Sequence, residues 1–255
     1  MKAIFLTLNK PQIDYKKLNK EEFREICLKN LELIKDKELP EIPKESIYEA
    51  VLIEFRILPH IEYIIRNNIL KLGNEWSYTI VCGKVNHDWV VELCKSISHS
   101  IRIIKLDYDN VLPKVYSTIL TTPSFWESLK GQKILIHQED SLIFKDNIKD
   151  FITWDYIGAP WKKSDKVNTR NVGNGGFSLR SKATMLQILN RKKMANVHPE
   201  DVFFTTSMIY YRLGKIADYD TASNFSSENV FNKNSFGGHC FWLGCNQWRD
   251  LLKLN

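Results

Sequence analysis

The sequence of 255 residues has no Gly-x-Gly-x-x-Gly fingerprint and no Walker-type loop. A dinucleotide-dependent dehydrogenase and a P-loop enzyme are both disfavoured on that ground. No apolar stretch approaches the roughly 20 residues that a membrane span needs. Met1 to Leu8 hold one lysine and too short an apolar run for a secretory leader. The expectation is a soluble protein with no membrane span. There is also no dense basic run. Lys and Arg number 36 against 30 Asp and Glu, a net charge of +6 spread along the chain. Such a modest excess suits a phosphate-bearing ligand, and no nucleic-acid partner is expected. Cysteine is scarce: Cys27, Cys82, Cys94, Cys240 and Cys245 are odd in number and scattered. This predicts reduced thiols and a cytoplasmic setting. Cys240 and Cys245, with His239, suggest zinc, but a fourth ligand at suitable spacing is missing.

What remains is a globular composition, 44% hydrophobic and 26% charged, with ample core and little tendency to disorder. Residues 1–43 read as a helical extension, with Asn19 as a cap and Glu22 as its return partner. Phe23, Ile26, Cys27, Leu31 and Ile34 then recur at helical spacing. The role of this extension is open between packing, dimerisation and acceptor binding. The prolines of residues 38–43 mark the boundary with a main domain, residues 44–255.

From there strands and helices alternate. Strands are predicted over 48–55, 78–82 and 101–106, and helices over 59–70 and 88–96. A short helix follows Pro123, with Ser124 and Glu127 as a capping box. The alternation predicts an α/β fold with a mostly parallel sheet flanked by helices.

The organising stretch is 133–144. Ile134, Leu135 and Ile136 form a short apolar run, the mark of a strand buried on both faces. It ends in His137-Gln138-Glu139-Asp140-Ser141, and a second apolar run, 142–144, leads away. Ligands of open α/β sheets sit beyond the carboxyl ends of the strands. Glu139 and Asp140 are therefore where a nucleotide or metal would be met. Glu54, Arg56 and Asn86, at the ends of the first two strands, lie on the same edge. Further on, residues 154–161 are dense in aromatics, either core or a surface for stacking sugar rings, with Pro160 arguing for a sheet edge. Gly173, Gly175 and Gly176 allow close backbone approach to a ligand before a strand at 177–180 and a helix at 183–189. His198-Pro199-Glu200-Asp201 opens another helix, with Pro199 at its first position and two carboxylates in its first turn. Residues 210–218 then read as a short strand and 224–235 as a loop. His239 sits between a glycine pair and an aromatic patch.

In order and spacing this set resembles the nucleotide-sugar glycosyltransferases of the GT-A fold. The strings at 155–161 and 173–180 resemble in particular a family of glycosyltransferases found in giant viruses, microbes and plants. The resemblance implies that 138–141 is a variant of the Asp-x-Asp metal motif and 173–176 the glycine loop. It makes 199–201 the x-Glu-Asp motif and His239 the C-terminal metal ligand. One departure stands out: Gln138 takes the place of the first acid. The implied site has Asp140 and His239 on Mn²⁺ or Mg²⁺, with Glu139 on the ribose or, through water, on the metal. Glu54, Arg56, Asn86, Gly175 and Gly176 complete the nucleotide site. Asp201 is the base that deprotonates the acceptor hydroxyl, with Glu200 its rival, in an inverting transfer. The donor is by analogy a uridine diphosphate sugar, and the acceptor a glycan, a protein or a small molecule. The setting is cytoplasmic, in the host's cytoplasm if the chain is virus-encoded. Two rivals use the same residues: a non-catalytic sugar- or nucleotide-binding module, and a metal-dependent nuclease or phosphoesterase. The latter leaves the glycine loop and the tryptophan-rich segment without a task.

Overall fold

The computed structural model describes residues 14–191 and 199–252. Met1 to Leu8, read as too short for a leader, and the first residue of the His198 motif lie outside the described residues. Helix α1 (Tyr15–Ile34) starts about one turn earlier than predicted. Asp14 is its cap: the carboxylate accepts from the backbone N–H groups of Lys16 and Lys17. Those amides have no partner inside the helix, so the first residue able to satisfy them sets the start. Phe23, Cys27 and Ile34 form the buried stripe of α1.

Next come β1 (Tyr48–Ile53), α2 (Ile61–Leu72), β2 (Trp76–Cys82), α3 (His87–Ile97) and β3 (Arg102–Lys105). Gly73, at φ 72°, ends α2 in a conformation that glycine adopts without a Cβ clash. Helices α4 (Pro113–Leu120) and α5 (Pro123–Ser128) precede β4 (Lys133–His137). α4 went unread in the sequence. The Ser124–Glu127 box does not form: Thr122 is the cap of α5, without a side-chain bond, and Pro123 opens the helix. Then follow β5 (Ser141–Ile143), β6 (Tyr156–Gly158), β7 (Phe177–Ser181), α6 (Lys182–Leu189) and α7 (Glu200–Tyr211). Pro199 is the N-cap of α7 rather than its first residue. The strand expected over 210–218 is replaced by a left-handed turn at Arg212 and a single bridge of Ile216 to Tyr156. The chain goes on through α8 (Tyr219–Phe225), β8 (Ser226–Ser227) and β9 (Gly237–His239).

The main sheet has six strands in the order β3-β2-β1-β4-β7-β6. β1, β2, β3 and β4 run parallel; β7 is antiparallel to both β4 and β6. The predicted α/β class and mostly parallel sheet are what the structure has. β5, β9 and β8 make a second sheet. The strand order steps outward from β1 to β3, then reverses, so β4 lies on the other side of β1. A crevice opens at such a reversal, between the carboxyl ends of the two diverging strands. Here those are β1 and β4. β6 is the edge strand, as Pro160 implies. Its Tyr156 and the nearby Trp161 are buried, and the Tyr156 hydroxyl donates to the Gly173 carbonyl. The aromatic density at 154–161 therefore belongs to the core.

Candidate active site

Past β1 the chain turns at Glu54, and past β4 at Gln138. Between these ends lies a cleft of about 520 Å³, within the range of small-ligand sites. Of the residues singled out from sequence, Glu54, Arg56, Glu139, Asp140, Gly175, Gly176, Glu200, Asp201 and His239 line it. Asn86 is not among the lining residues. It is buried as a brace behind them: its Oδ1 accepts from the Gly83 N–H, and its Nδ2 donates to the carbonyls of Glu54 and Arg56. Every polar atom of that side chain is spent on holding the loop, which leaves none for a nucleotide.

Glu139 is 1% exposed and surrounded by cations. Its Oε1 lies 2.8 Å from Arg24 Nη2, 2.5 Å from Lys20 Nζ and 3.2 Å from Arg56 Nη2. Its Oε2 lies 3.0 Å from His60 Nε2. Burial alone would raise its pKa, but the bonds to His60 and Arg24 and the charge of Lys20 hold it below the usual carboxylate range. Both oxygens are engaged by protein side chains from α1, from the turn after β1 and from His60.

Asp140 is held low in the same way: His239 and Lys20 outweigh its burial. Its Oδ2 accepts from Lys20 Nζ at 2.7 Å. Its Oδ1 faces His239 Nε2 at 3.2 Å, buried and without a hydrogen bond. The other side of that imidazole shows the same pattern. His239 Nδ1 lies 3.1 Å from Glu228 Oε2, and neither atom has a hydrogen-bond partner. Asp140, His239 and Cys240 each offer one ligand atom, all within 4.8 Å of one another. Buried polar atoms without a hydrogen-bond partner beside three convergent ligands fit a metal ion. The carboxylate and imidazole suit Mn²⁺, and the thiol adds a softer ligand. Cys240 gains its place through the backbone: its N–H donates to the Asp140 carbonyl at 2.9 Å.

The opposite wall is the glycine loop with the start of α7. Gly175 N–H donates to Asp201 Oδ2 at 3.0 Å. A Cβ on Gly175 would fall 2.6 Å from Glu200 Oε1, and one on Gly176 would fall 2.3 Å from the His239 ring. The glycines thus let the loop lie directly on the second acid pair and on the histidine. Glu200 is paired to Arg180 at 3.0 Å, and this arginine is fully buried, with its guanidinium over the Tyr156 ring. Burial, then the charge of Glu200, push the Asp201 carboxyl up to about 7. The position at a helix start favours the carboxylate, but desolvation wins.

Lys20, Arg24, Tyr116, Arg180 and Glu228 were missed in the sequence. For Lys20 and Arg24 a signal existed. They fall at i and i+4 and, with Phe23 and Cys27, mark one side of α1, a basic pair set in the stripe that the helix buries.

Residues 100–239 match the family described as Protein of unknown function (DUF5672). The chain belongs to that family. The family's span contains the acid turn, the glycine loop, the Glu200–Asp201 pair and His239. It leaves out α1, β1 and β2. No curated protein matches the chain. Among solved structures, the fold is similar to that of the inositol-1-phosphate CTP transferase from T. maritima. That match has 12% identity, 82% of this chain and 96% of that chain covered, and a TM-score of 0.50. The glycosyltransferase GlyE in Streptococcus pneumoniae TIGR4, in its apo-form, is looser: 9% identity, 82% of this chain and 60% of that chain, TM-score 0.46. So is the mannosyltransferase PcManGT from Pyrobaculum calidifontis in complex with GDP-Man and Mn²⁺: 11% identity, 80% of this chain and 64% of that chain, TM-score 0.47. At such identities the likeness is one of fold alone. Among the described residues no helix is long and apolar enough to cross a membrane.

Proposed function

We propose that the protein is a GT-A-like glycosyltransferase of the kind found in giant viruses, microbes and plants. It moves a sugar from a nucleoside diphosphate donor, by family analogy uridine diphosphate, to a hydroxyl of a glycan, a protein or a small molecule. Residues 44–255 form the transferase domain and residues 1–43 an extension to it, and the reaction belongs to the cytoplasm. The observation that carries this reading is the meeting of two unlike carboxylate pairs in one cleft. Glu139–Asp140 is held ionised, while burial and Glu200 push the Asp201 carboxyl up to about 7.

The first pair suits a cation and a diphosphate. Asp140 and His239, with Cys240 beside them, would hold Mn²⁺ or Mg²⁺. When bound, the ion would neutralise charge developing on the leaving diphosphate. The second pair suits proton transfer. A carboxylate whose pKa approaches the working pH is the better general base, and such a base contributes about 10²–10⁴-fold. The acceptor oxygen attacks the anomeric carbon as its proton passes to Asp201. The bond from that carbon to the diphosphate oxygen breaks, and its electron pair leaves with the nucleoside diphosphate. Arg180 pairs with Glu200 at 3.0 Å and engages it, which favours Asp201 over its rival. Attack opposite the leaving group inverts the anomeric centre.

Incubation with nucleotide sugars and Mn²⁺ tests the reading, with release of the nucleoside diphosphate and the product anomer followed by NMR. Turnover with inversion is the expected result. Retention would remove Asp201 from its role as base. Nucleotide binding without any turnover would leave a binding module, and nucleic-acid cleavage without sugar-nucleotide turnover a phosphoesterase.

A further inference from the structure

The acids at the ends of β1 and β4 are matched by protein cations, one for one. Arg56 lies on Glu54, Arg24 on Glu139 and Lys20 on Asp140, at 2.8, 2.8 and 2.7 Å. Two of the three cations come from α1, which lies outside the family's matched span. The acid cluster is therefore charge-balanced by the chain itself, before any ion or ligand arrives. Any negative charge that enters is uncompensated, and it meets an ammonium first. Lys20 lines the cleft with its side chain 29% exposed. An ammonium has three donors. Asp140 and Glu139 engage two of them, which leaves one on a side chain that lines the cleft.

We infer that Lys20 is a diphosphate-binding residue, a fixed cation delivered by α1 that lets the site hold a nucleoside diphosphate even without a divalent ion. The inference rests on the nucleotide-sugar reading of the cleft. It differs from a plug that merely holds Asp140 until a metal displaces it, because α1 is not free to leave. Phe23 and Cys27 are fully buried, and the Phe23 ring lies 5.6 Å from Phe241 and 5.3 Å from Trp242. Asn30 donates to the Leu252 carbonyl, and Glu22 pairs with Arg249. Lifting the helix would expose that whole stripe to water. A lysine whose helix is held by core packing has its backbone fixed beside the site.

The test is calorimetric titration of the full chain with UDP, GDP, CDP and ADP, first in EDTA and then in Mn²⁺. Wild type should bind at least one of them in EDTA. Lys20→Met keeps the aliphatic stem and should weaken that binding about tenfold or more, the loss of one charge-assisted phosphate contact. Lys20→Arg should restore most of it, and unchanged melting curves in both variants would show that α1 stays docked. Equal affinity of wild type and Lys20→Met in EDTA would overturn the inference. So would binding that appears only with Mn²⁺, or a Lys20→Met variant that binds Mn²⁺ and nucleotide more tightly than wild type, as a plug requires. If wild type bound none of the four under either condition, the nucleotide reading would fall first, and this inference with it.

Discussion

Glu139–Asp140 and Glu200–Asp201 are the same dipeptide chemistry on opposite walls of one cleft, and the fold treats them in opposite ways. The first pair sits past a strand end and draws in Lys20, Arg24, Arg56 and two histidines. The second sits in the first turn of α7 with Arg180 as its ion-pair partner. Both are buried. Desolvation pushes every carboxylate toward its neutral form, so the outcome depends on how many cations stand within reach. With several, the acid stays ionised and suits a cation or a diphosphate. With one, spent on Glu200, its neighbour Asp201 is left able to take up a proton.

The contrast breaks most completely at Asp201. Asp201→Asn removes the proton acceptor and should lower turnover by about 10²–10⁴-fold, read as kcat with donor KM little changed. The same variant should gain stability. The folded chain keeps the Asp201 proton up to about pH 7, whereas an unfolded carboxylate loses it near pH 4. Between those values the folded state binds more protons, so this group makes stability fall as pH rises, with the loss complete above pH 7. Asn does not titrate. Its melting temperature should exceed that of wild type at pH 8 and converge with it near pH 4, as calorimetric scans at both pH values would reveal.

Arg180→Met tests the claim that one cation sustains the second pair. It leaves Glu200 buried without its partner and should cost about 3–5 kcal/mol in urea unfolding. Arg180 also lowers the Asp201 pKa, so the acid limb of the rate profile should move to higher pH. A stability change below about 1 kcal/mol would mean that Glu200 finds another partner.

The smallest effect is expected where cations are plentiful. Arg24→Gln removes one of several from Glu139, which keeps Lys20 and Arg56, and the Arg24 side chain is 27% exposed. The loss should stay below about 1 kcal/mol, as for other solvent-screened pairs. Comparing Arg24→Gln with Arg180→Met in one set of denaturation curves measures redundancy on one wall against its absence on the other.

The sheet was legible because its signals are local. Ile134, Leu135 and Ile136 announce β4, and the polar turn after them announces the crevice edge. The alternation of strands and helices gives the mostly parallel order. The reversed direction of β7 was not legible, since Phe177 to Arg180 are buried and would read the same either way. α4 escaped notice because an eight-residue helix carries little periodic signal. Within the cleft, acids that follow strand ends were readable from position alone. Their cations were not. Lys20 and Asp140 are 120 residues apart in sequence, and no pattern within a window links them. Asn86 shows the converse: a polar residue in the expected place, spent entirely on bracing the loop behind the site.

The docking of α1 has a consequence in time. Its partners Phe241 and Trp242 come more than 200 residues later in the chain, and the separation between Glu22 and Arg249 is 227. Contacts that far apart close slowly, because the loop must be ordered before it is rewarded. The parallel strands β1, β2 and β3 are neighbours in sequence and can assemble before α1 finds its seat. A chain caught midway would have its sheet and its acids, but Glu139 and Asp140 would stand without the helix that balances them. Seating α1 brings Lys20 and Arg24 to those acids, so the charge balance of the site is completed by contacts 120 and 115 residues apart in sequence.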